Sequence, residues 1–224
     1  EKIIKLEPLH FDSLHLLGVI AAKNNRFSDA VSFITKALEV NPNHSTAYIN
    51  LGDALKQLNL SDLALSCYQS AITLNPQSSS AYNNRSLVLK DLCRFDEALS
   101  SINESIRLSP DLSQAQSNKA LILRNMGRYE EAIVSCEQAL RTLPNNVMAH
   151  NNLGLVQKDL ARISEAIVCF DRALEIDPEF HEARWNKSLA LLLDGQLKEG
   201  FELFEWRFQA ETGLKEVQMD IPLW

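Results

Sequence analysis

Apolar side chains recur along this chain in two short blocks separated by a polar break, and the whole pattern returns every 34 residues. Within each block the apolar positions lie three or four residues apart, which predicts amphipathic helices. A proline stands at the same place in each period, where it would end the second helix. The pattern therefore predicts a series of helical hairpins that end near Pro8, Pro42, Pro76, Pro110, Pro144 and Pro178.

A fixed period without insertions is typical of a repeat architecture rather than a single globular domain. When each period is numbered so that its proline is place 32, six units follow, namely 11–44, 45–78, 79–112, 113–146, 147–180 and 181–214. Residues 1–10 match the end of a preceding unit. Residues 215–224 are expected to form a C-terminal cap or a linker to a further domain. Because Ser45, Ser79 and Ser113 precede the first helical blocks, we expect them to be N-caps.

Small residues occupy three places of the unit, where they would let two helices approach closely. Place 8 has Gly18, Gly52, Ser86, Ala120, Gly154 and Ser188; place 20 has Ala30, Ala64, Ala98, Ala132, Ala166 and Gly200; place 27 has Ala37, Ala71, Ser105, Ala139 and Ala173.

The 34-residue unit with these small places and its proline resembles the tetratricopeptide repeat, most clearly in "AYINLGDALKQLNLSDLALSCYQSAITLNP" (47–76). The resemblance covers 11–214. It implies an all-α fold, a right-handed α-solenoid of helix-turn-helix repeats whose first helices line a concave groove. It also implies that the groove holds a peptide or another protein.

A row of asparagines occupies place 6 of five successive units: Asn50, Asn84, Asn118, Asn152 and Asn186. Asparagine is a poor helix former, so the row costs on the order of 2–3 kcal/mol of helix stability and calls for an explanation. Helical periodicity puts place 6 on the face opposite the packed stripe. Because an amide both donates and accepts hydrogen bonds, the row can bind the main chain of an extended polypeptide. It resembles the asparagine ladder of O-linked N-acetylglucosamine transferases; bonding between repeats is the structural alternative.

Charged residues near the row are further candidate peptide contacts, although a solvated helix face explains their mixed signs equally well. They are Asp53, Lys56, Lys90, Arg124 and Lys158. The short segments "NNRS" (83–86) and "SNKA" (117–120) resemble those of chaperone adaptors that bind a C-terminal carboxylate. Ile49 and Asp53 stand where such a carboxylate site needs lysine and asparagine, which argues against it.

Composition narrows the partners. The chain is 46% hydrophobic and 23% charged, with a net charge of −7 and a pI near 5.3. An acidic chain is unsuited to nucleic acid or to anionic membranes, and no run of residues is apolar enough to span a bilayer. Four cysteines lack metal-binding spacing, so we expect reduced thiols, a cytoplasmic location, and no metal or cofactor.

The sixth unit departs from the pattern. Its segment "GFELFEWRFQ" (200–209) is aromatic, with Phe201, Phe204 and Phe208 expected in the core and Trp206 left uncovered. The uncovered residue suggests self-association through this repeat as one possibility. The stretch from Asn186 to Phe208, followed by "PLW", also resembles bacterial junctions at which tetratricopeptide arrays precede a glycosyltransferase-like domain.

No catalytic motif occurs in the chain, so we expect no enzymatic activity in it. The first hypothesis is a scaffold that holds an extended polypeptide through the asparagine row. The alternative is the substrate-recruiting arm of a glycosyltransferase, similar to the O-linked N-acetylglucosamine transferases, whose catalytic domain would follow Trp224.

Overall fold

The computed structural model describes residues 10–211, with side chains as far as Glu205. Throughout this range the regular structure is α-helical, so the all-α solenoid class predicted from the sequence is confirmed. The first helices begin at residues 11, 45, 79, 113, 147 and 181, each the first place of a predicted unit. The helices are α1 Phe11–Lys23, α2 Phe27–Val40, α3 Ser45–Gln57, α4 Ser61–Leu74, α5 Ser79–Asp91, α6 Phe95–Leu108, α7 Ser113–Asn125, α8 Tyr129–Thr142, α9 Val147–Asp159, α10 Ile163–Ile176, α11 His181–Leu193 and α12 Leu197–Glu211.

The chain divides into two compact units, residues 1–127 and 128–224. In the first, the hairpins α1–α2, α3–α4 and α5–α6 and the helix α7 pack in sequence order. In the second, α8 packs on the hairpin α9–α10, which packs on α11–α12. Within each unit the first helices of neighbouring hairpins also contact one another. The roles predicted for 1–10 and 215–224 fall almost entirely outside the described residues.

The small places form the interior of each hairpin, as predicted. The alanines at place 20 in the first five repeats are fully buried. Glycine at place 8 lies against a large side chain at place 24, and a Cβ built on Gly52 would lie 2.7 Å from Tyr68 Cε1. Gly154 faces Phe170 in the same way. A larger residue at place 8 would therefore overpack the hairpin.

In each hairpin turn, the residue at place 15 of the repeat adopts the left-handed backbone conformation. At the end of α9, Ala161 N–H donates to Lys158 and Arg162 N–H donates to Gln157, both through main-chain oxygens, which is a Schellman motif. These residues have φ between 58° and 82°: Asn25, Asn59, Cys93, Gly127, Ala161 and Gly195. Only two of the six are glycine.

Two sequence expectations are wrong in detail. The N-caps stand one residue before the predicted serines: His44 and Ser78 accept from the main-chain N–H groups of Ala47 and Ala81, and Leu112 provides no side-chain cap.

The second concerns Phe201, which is 54% exposed rather than buried. Equivalent residues in earlier repeats, such as Leu65 and Ile167, pack on the hairpin that follows. The described part of the chain has no hairpin beyond α12, which explains the exposure. The side chains of Trp206 and Phe208 lie outside the described residues.

The left-handed turns give a matched pair of stability tests. A residue with a Cβ in this region costs about 1–2 kcal/mol, and glycine does not. Ala161→Gly should therefore raise the free energy of unfolding by about 1 kcal/mol. Gly195→Ala should lower it by a similar amount, because nothing lies within 4 Å of an added Cβ there and only the backbone responds. Urea unfolding measures both; changes of the same sign would contradict this explanation.

Candidate functional site

The asparagine row lies on the first helices, but at the junction with the preceding hairpin rather than on a fully solvated face. Asn50, Asn84 and Asn186 are half-buried. Asn118 and Asn152 are buried, with 6% and 2% of their surfaces exposed. The prediction that the row lies opposite the packed stripe omitted the neighbouring repeat, which covers that side of each helix.

Three amides bond to the same place of the preceding repeat. Asn118 Nδ2 donates to Asn83 Oδ1 at 2.8 Å, and Asn186 Nδ2 donates to Asn151 Oδ1 at 3.0 Å. Asn50 Nδ2 lies 2.9 Å from His15 Nε2. These three partners all occupy place 5, directly before the row. The row therefore links successive hairpins through their side chains.

Asn84 follows a different route, because place 5 of the preceding repeat is Ile49, which accepts no hydrogen bond. Asn84 Nδ2 instead donates to Asp53 Oδ1 at 2.8 Å. Asp53 stands four residues later on α3, one helical turn from Ile49. The acceptor has moved to the next available position on the same face.

The bonds join into a continuous network in the first unit, here called the amide chain. Tyr68 Oη donates to Asp53 Oδ1 at 2.7 Å, and Asn83 Nδ2 donates to Asn84 Oδ1 at 3.0 Å. The network thus runs through Tyr68, Asp53, Asn84, Asn83 and Asn118. It crosses three successive repeats on α3, α4, α5 and α7.

Burial controls the ionisation of the two acidic groups in this network. It raises the pKa of Asp53, and the hydrogen bonds from Tyr68 and Asn84 and the charge of Lys56 oppose that rise only in part. Burial also raises the pKa of Tyr68, helped by the Asp53 charge. Tyr68 therefore remains a hydroxyl donor at every physiological pH.

The network limits what the asparagines can offer to a ligand. A carboxamide has two N–H donors and an oxygen that accepts twice, and one donor of each described pair is used between repeats. The half-buried Asn50, Asn84 and Asn186 keep exposed surface and some bonding capacity. Buried Asn118 and Asn152 have almost none exposed. Binding of a peptide by the row remains a prediction.

Two of the charged candidate contacts, Lys56 and Lys90, lie near a carboxylate that compensates their charge. Lys90 Nζ lies 2.9 Å from Asp91 Oδ1, and Lys56 Nζ reaches the other oxygen of that carboxylate at 4.0 Å from the preceding repeat. Arg124 and Lys158 are half-buried. Asp53 belongs to the amide chain.

His15, Asn83 and Asn151, the partners at place 5, were missed by the sequence analysis. A signal was present: asparagine is doubled at 83–84 and again at 151–152. A second asparagine directly before the row, as at Asn83 and Asn151, is unnecessary if the row only contacts a ligand. A polar residue there is necessary if that place serves the following repeat.

Few of the described residues are suited to metal binding or to nucleophilic attack. In that range no group of three or more His, Cys, Asp or Glu side chains could hold a metal ion. Burial raises the thiol pKa of Cys67 and Cys169 to about 11 and that of Cys136 to about 12. Such thiols are almost wholly protonated near neutral pH, and protonated thiols are poor nucleophiles.

Between His10 and Glu211, no helix is both long and apolar enough to cross a membrane.

Comparison with known proteins gives a family match. Two models of the tetratricopeptide repeat match the chain, one at residues 15–79 and 49–113 and the other at 111–179, so that together they cover more than half of it. No curated protein sequence matches the chain.

Many solved structures have a similar fold. TTC0263, a thermophilic TPR protein of Thermus thermophilus, is 23% identical, covers 82% of this chain and 100% of its own, and has a TM-score of 0.73. PilW, a type IV pilus biogenesis factor, is 17% identical over 92% of this chain and 95% of its own, with a TM-score of 0.78. YrrB, described as a TPR protein with an unusual peptide-binding site, is 20% identical over 79% and 91%, with a TM-score of 0.54. At these identities the likeness shows the fold alone.

The raised pKa of Asp53 predicts a pH-dependent effect of Asp53→Asn. The folded protein favours the neutral carboxyl, so this contribution to stability is complete below the ordinary pKa of aspartate and is lost as pH rises through the raised value. Asparagine keeps the acceptor oxygen without the charge. We expect the variant to melt a few degrees above the parent at pH 7, with the difference closing on acidification.

The control for Asp53→Asn is Asp111→Asn, which removes one negative charge from an exposed loop residue. Thermal melts at several pH values should show no closing difference for the control. A lower melting temperature for Asp53→Asn at pH 7 would contradict the assignment of a half-buried, destabilising charge.

Thiol labelling tests the burial of the cysteines. At pH 8 a thiol of pKa about 11 is only ~0.1% thiolate, so the native protein should react with a maleimide rapidly at exposed Cys93 alone. Cys93→Gly, which suits the left-handed turn, should abolish the fast phase while denatured protein still labels three times. Fast native labelling of that variant would overturn the burial.

Proposed function

Because this chain belongs to the tetratricopeptide repeat family, whose members are protein-binding helical scaffolds, we propose that it holds an extended segment of a partner protein along its first helices. The proposed contacts are the exposed parts of Asn50, Asn84 and Asn186. The scaffold itself has no catalytic part in this proposal.

One observation carries the proposal: three half-buried amides recur at the same place of the repeat, each with bonding capacity beyond its bond to the preceding hairpin. The second N–H of each amide and part of its oxygen are available. An extended main chain offers one donor and one acceptor per residue. An asparagine amide can bond to both of these main-chain groups without contacting the ligand's side chains, so we expect binding with little sequence preference.

The bonds to neighbouring hairpins support this reading. A side chain already held by one hydrogen bond loses less conformational entropy when a ligand forms the second. Asn84 is the best held of the three, since its Nδ2 donates to Asp53 and its Oδ1 accepts from Asn83. The buried Asn118 supports the site indirectly by joining α7 to α5.

Charge is expected to contribute less than the amides. Lys56 and Lys90 both approach Asp91, so an acidic ligand must compete with that carboxylate. Asp53 is occupied by Tyr68 and Asn84. These two lysines, with Arg124 and Lys158, remain proposed contacts of secondary weight.

The alternative, an arm that recruits substrates for a glycosyltransferase, rests on the resemblance near residues 186–208 and 222–224, part of which lies outside the described residues. The coding sequence beyond Trp224 decides it: no transferase-like domain there removes the hypothesis. Self-association through the last repeat and a cytoplasmic location also remain hypotheses. An unchanged monomeric mass by light scattering in Trp206→Ala and in the parent would remove the former.

The test begins with an array of unrelated peptides and continues with titration of the best binder. Replacing Asn50, Asn84 and Asn186 singly by alanine should weaken binding about fivefold each, the equivalent of one ordinary hydrogen bond of about 1 kcal/mol. Gln57→Ala, at an exposed place of α3, is the matched control and should bind as the parent does. Full binding by the triple variant would discard the row as a contact surface.

Stability separates the two roles of the row. Asn118→Ala should lower the free energy of unfolding by about 1–3 kcal/mol, since a buried acceptor loses its donor. This loss should outweigh the gain in helix propensity that accompanies replacement of asparagine by alanine. A folded Asn118→Ala variant should bind peptide nearly as the parent does, which its melting temperature and the titration measure together.

A further inference from the structure

A second candidate site lies in the first unit, apart from the amide chain. A cleft of about 560 Å³ opens between α4 and the hairpin α5–α6. It shares no lining residue with the amide chain. Its lining is Leu65, Ser66 and Gln69 from α4, Arg85 and Leu89 from α5, and Arg94, Glu97 and Ser100 from the turn and α6.

Arg85 is the unusual residue of this cleft. It occupies place 7, where three other repeats have Leu17, Leu51 and Leu153. Its side chain is half-buried, and burial lowers the pKa of the guanidinium, although an arginine stays charged at any physiological pH. The sequence thus puts a permanent charge at a place where three repeats have leucine and the other two have Lys119 and Lys187.

The described hydrogen-bond partners of Arg85 are neutral, although the charge of Glu97 acts on the guanidinium from a distance and raises its pKa against the effect of burial. Nε donates to Ser101 Oγ at 3.0 Å, and Nη1 donates to Gln69 Oε1 at 2.7 Å. The Tyr82 ring centroid lies 5.3 Å from Cζ. A guanidinium has five N–H groups, so three remain beyond these two bonds. A half-buried charge that no carboxylate contacts directly is costly.

The nearest carboxylate is already bound. Glu97 receives two bonds of 2.7 Å from Arg94, a bidentate pair at the start of α6. That pair is neutral overall. The cleft lining therefore carries one net positive charge, which belongs to Arg85.

The last repeat shows how this chain pairs a cation at the same place. Lys187 stands at place 7 of its repeat, and its Nζ lies 3.0 Å from Asp171 Oδ1 of the preceding hairpin. It also lies 3.1 Å from Glu199 Oε1 of its own hairpin. The positions equivalent to these two carboxylates around Arg85 are Gln69 and Glu97. The positions are the same in both repeats. Around Arg85, however, Gln69 is an uncharged amide, and Glu97 is already paired with Arg94.

We propose that this cleft binds one carboxylate, the side chain of an aspartate or glutamate in a partner protein, with Arg85 as its main ligand. A single net positive charge matches a monoanion. A phosphate, with about −1.5 to −2 charges near neutral pH, would exceed it. Leu65 and Leu89 provide an apolar wall for the methylene groups of the ligand, and Ser100 provides a hydroxyl. The Ser66 hydroxyl already donates to the main-chain oxygen of Asp62.

The site is independent of the proposed main-chain binding. The cleft would bind one carboxylate, whereas the asparagine row lies on several repeats and would bind main-chain groups. Either proposal can fail without the other. A partner that used both would place an acidic residue beside its extended segment.

The probe is the peptide Ac-Ala-Ala-Glu-Ala-Ala-NH2, compared with the same peptide carrying glutamine and with inorganic phosphate. NMR follows the Nε–Hε signal of Arg85, assigned as the signal lost in Arg85→Met. The glutamate peptide should shift it saturably, and the glutamine peptide should leave it unchanged. A larger response to phosphate, or no saturable shift with any probe, overturns the proposal.

Gln69→Glu is the decisive variant, because it supplies the carboxylate that Asp171 supplies to Lys187. It should weaken binding of the glutamate peptide at least tenfold and raise the melting temperature. Gln77→Glu adds the same charge at an exposed residue outside the cleft and should bind within about twofold of the parent, since a surface charge at that distance is screened. Equal binding by Gln69→Glu and the parent contradicts a role for Arg85.

Discussion

Buried amides must find partners, and the amide chain is the consequence of that requirement. Leaving a buried amide without a hydrogen bond costs more free energy than an ordinary hydrogen bond contributes to stability. An asparagine covered by the neighbouring hairpin therefore needs a polar residue on that hairpin as its partner. Asn83 meets the demand of Asn118, and Asn151 meets that of Asn186. Where Ile49 fails to, Asp53 supplies the oxygen. Hairpins of this chain are therefore matched to their neighbours by polar as well as apolar contacts.

The same requirement connects the structure to binding. Amides that are fully covered, such as Asn118, are held for the fold, whereas half-covered Asn84 keeps capacity for a second partner. Arg85 presents a related case with a full charge, since its described hydrogen-bond partners are neutral, whereas the equivalent Lys187 contacts two carboxylates. Polar groups that the fold satisfies only in part call for a further partner.

The periodic features of the fold were predictable from the sequence because the same residue pattern recurs in each repeat. The interior small residues, the hairpin helices and the break at the turn all recur at a 34-residue spacing. Features that depend on a neighbouring repeat were not predictable in this way. The face of α7 that carries Asn118 looks solvated on a single helix and is covered only in the stack. Phe201 is expected in the core from its spacing, but it is exposed because the described residues include no hairpin after α12. The cap serines were wrong for a local reason, since each N-cap lies one residue earlier: His44 and Ser78 form the cap bonds there, and Leu112 forms none.

A double-mutant cycle between Asn83 and Asn118 tests the central claim most directly. The single variants to alanine and the double variant are unfolded with urea, and the coupling energy is taken from the four free energies. Residues joined across a repeat boundary by a buried hydrogen bond should be coupled by about 1 kcal/mol or more. Additive effects, with coupling near zero, would mean that the amides do not hold successive hairpins together.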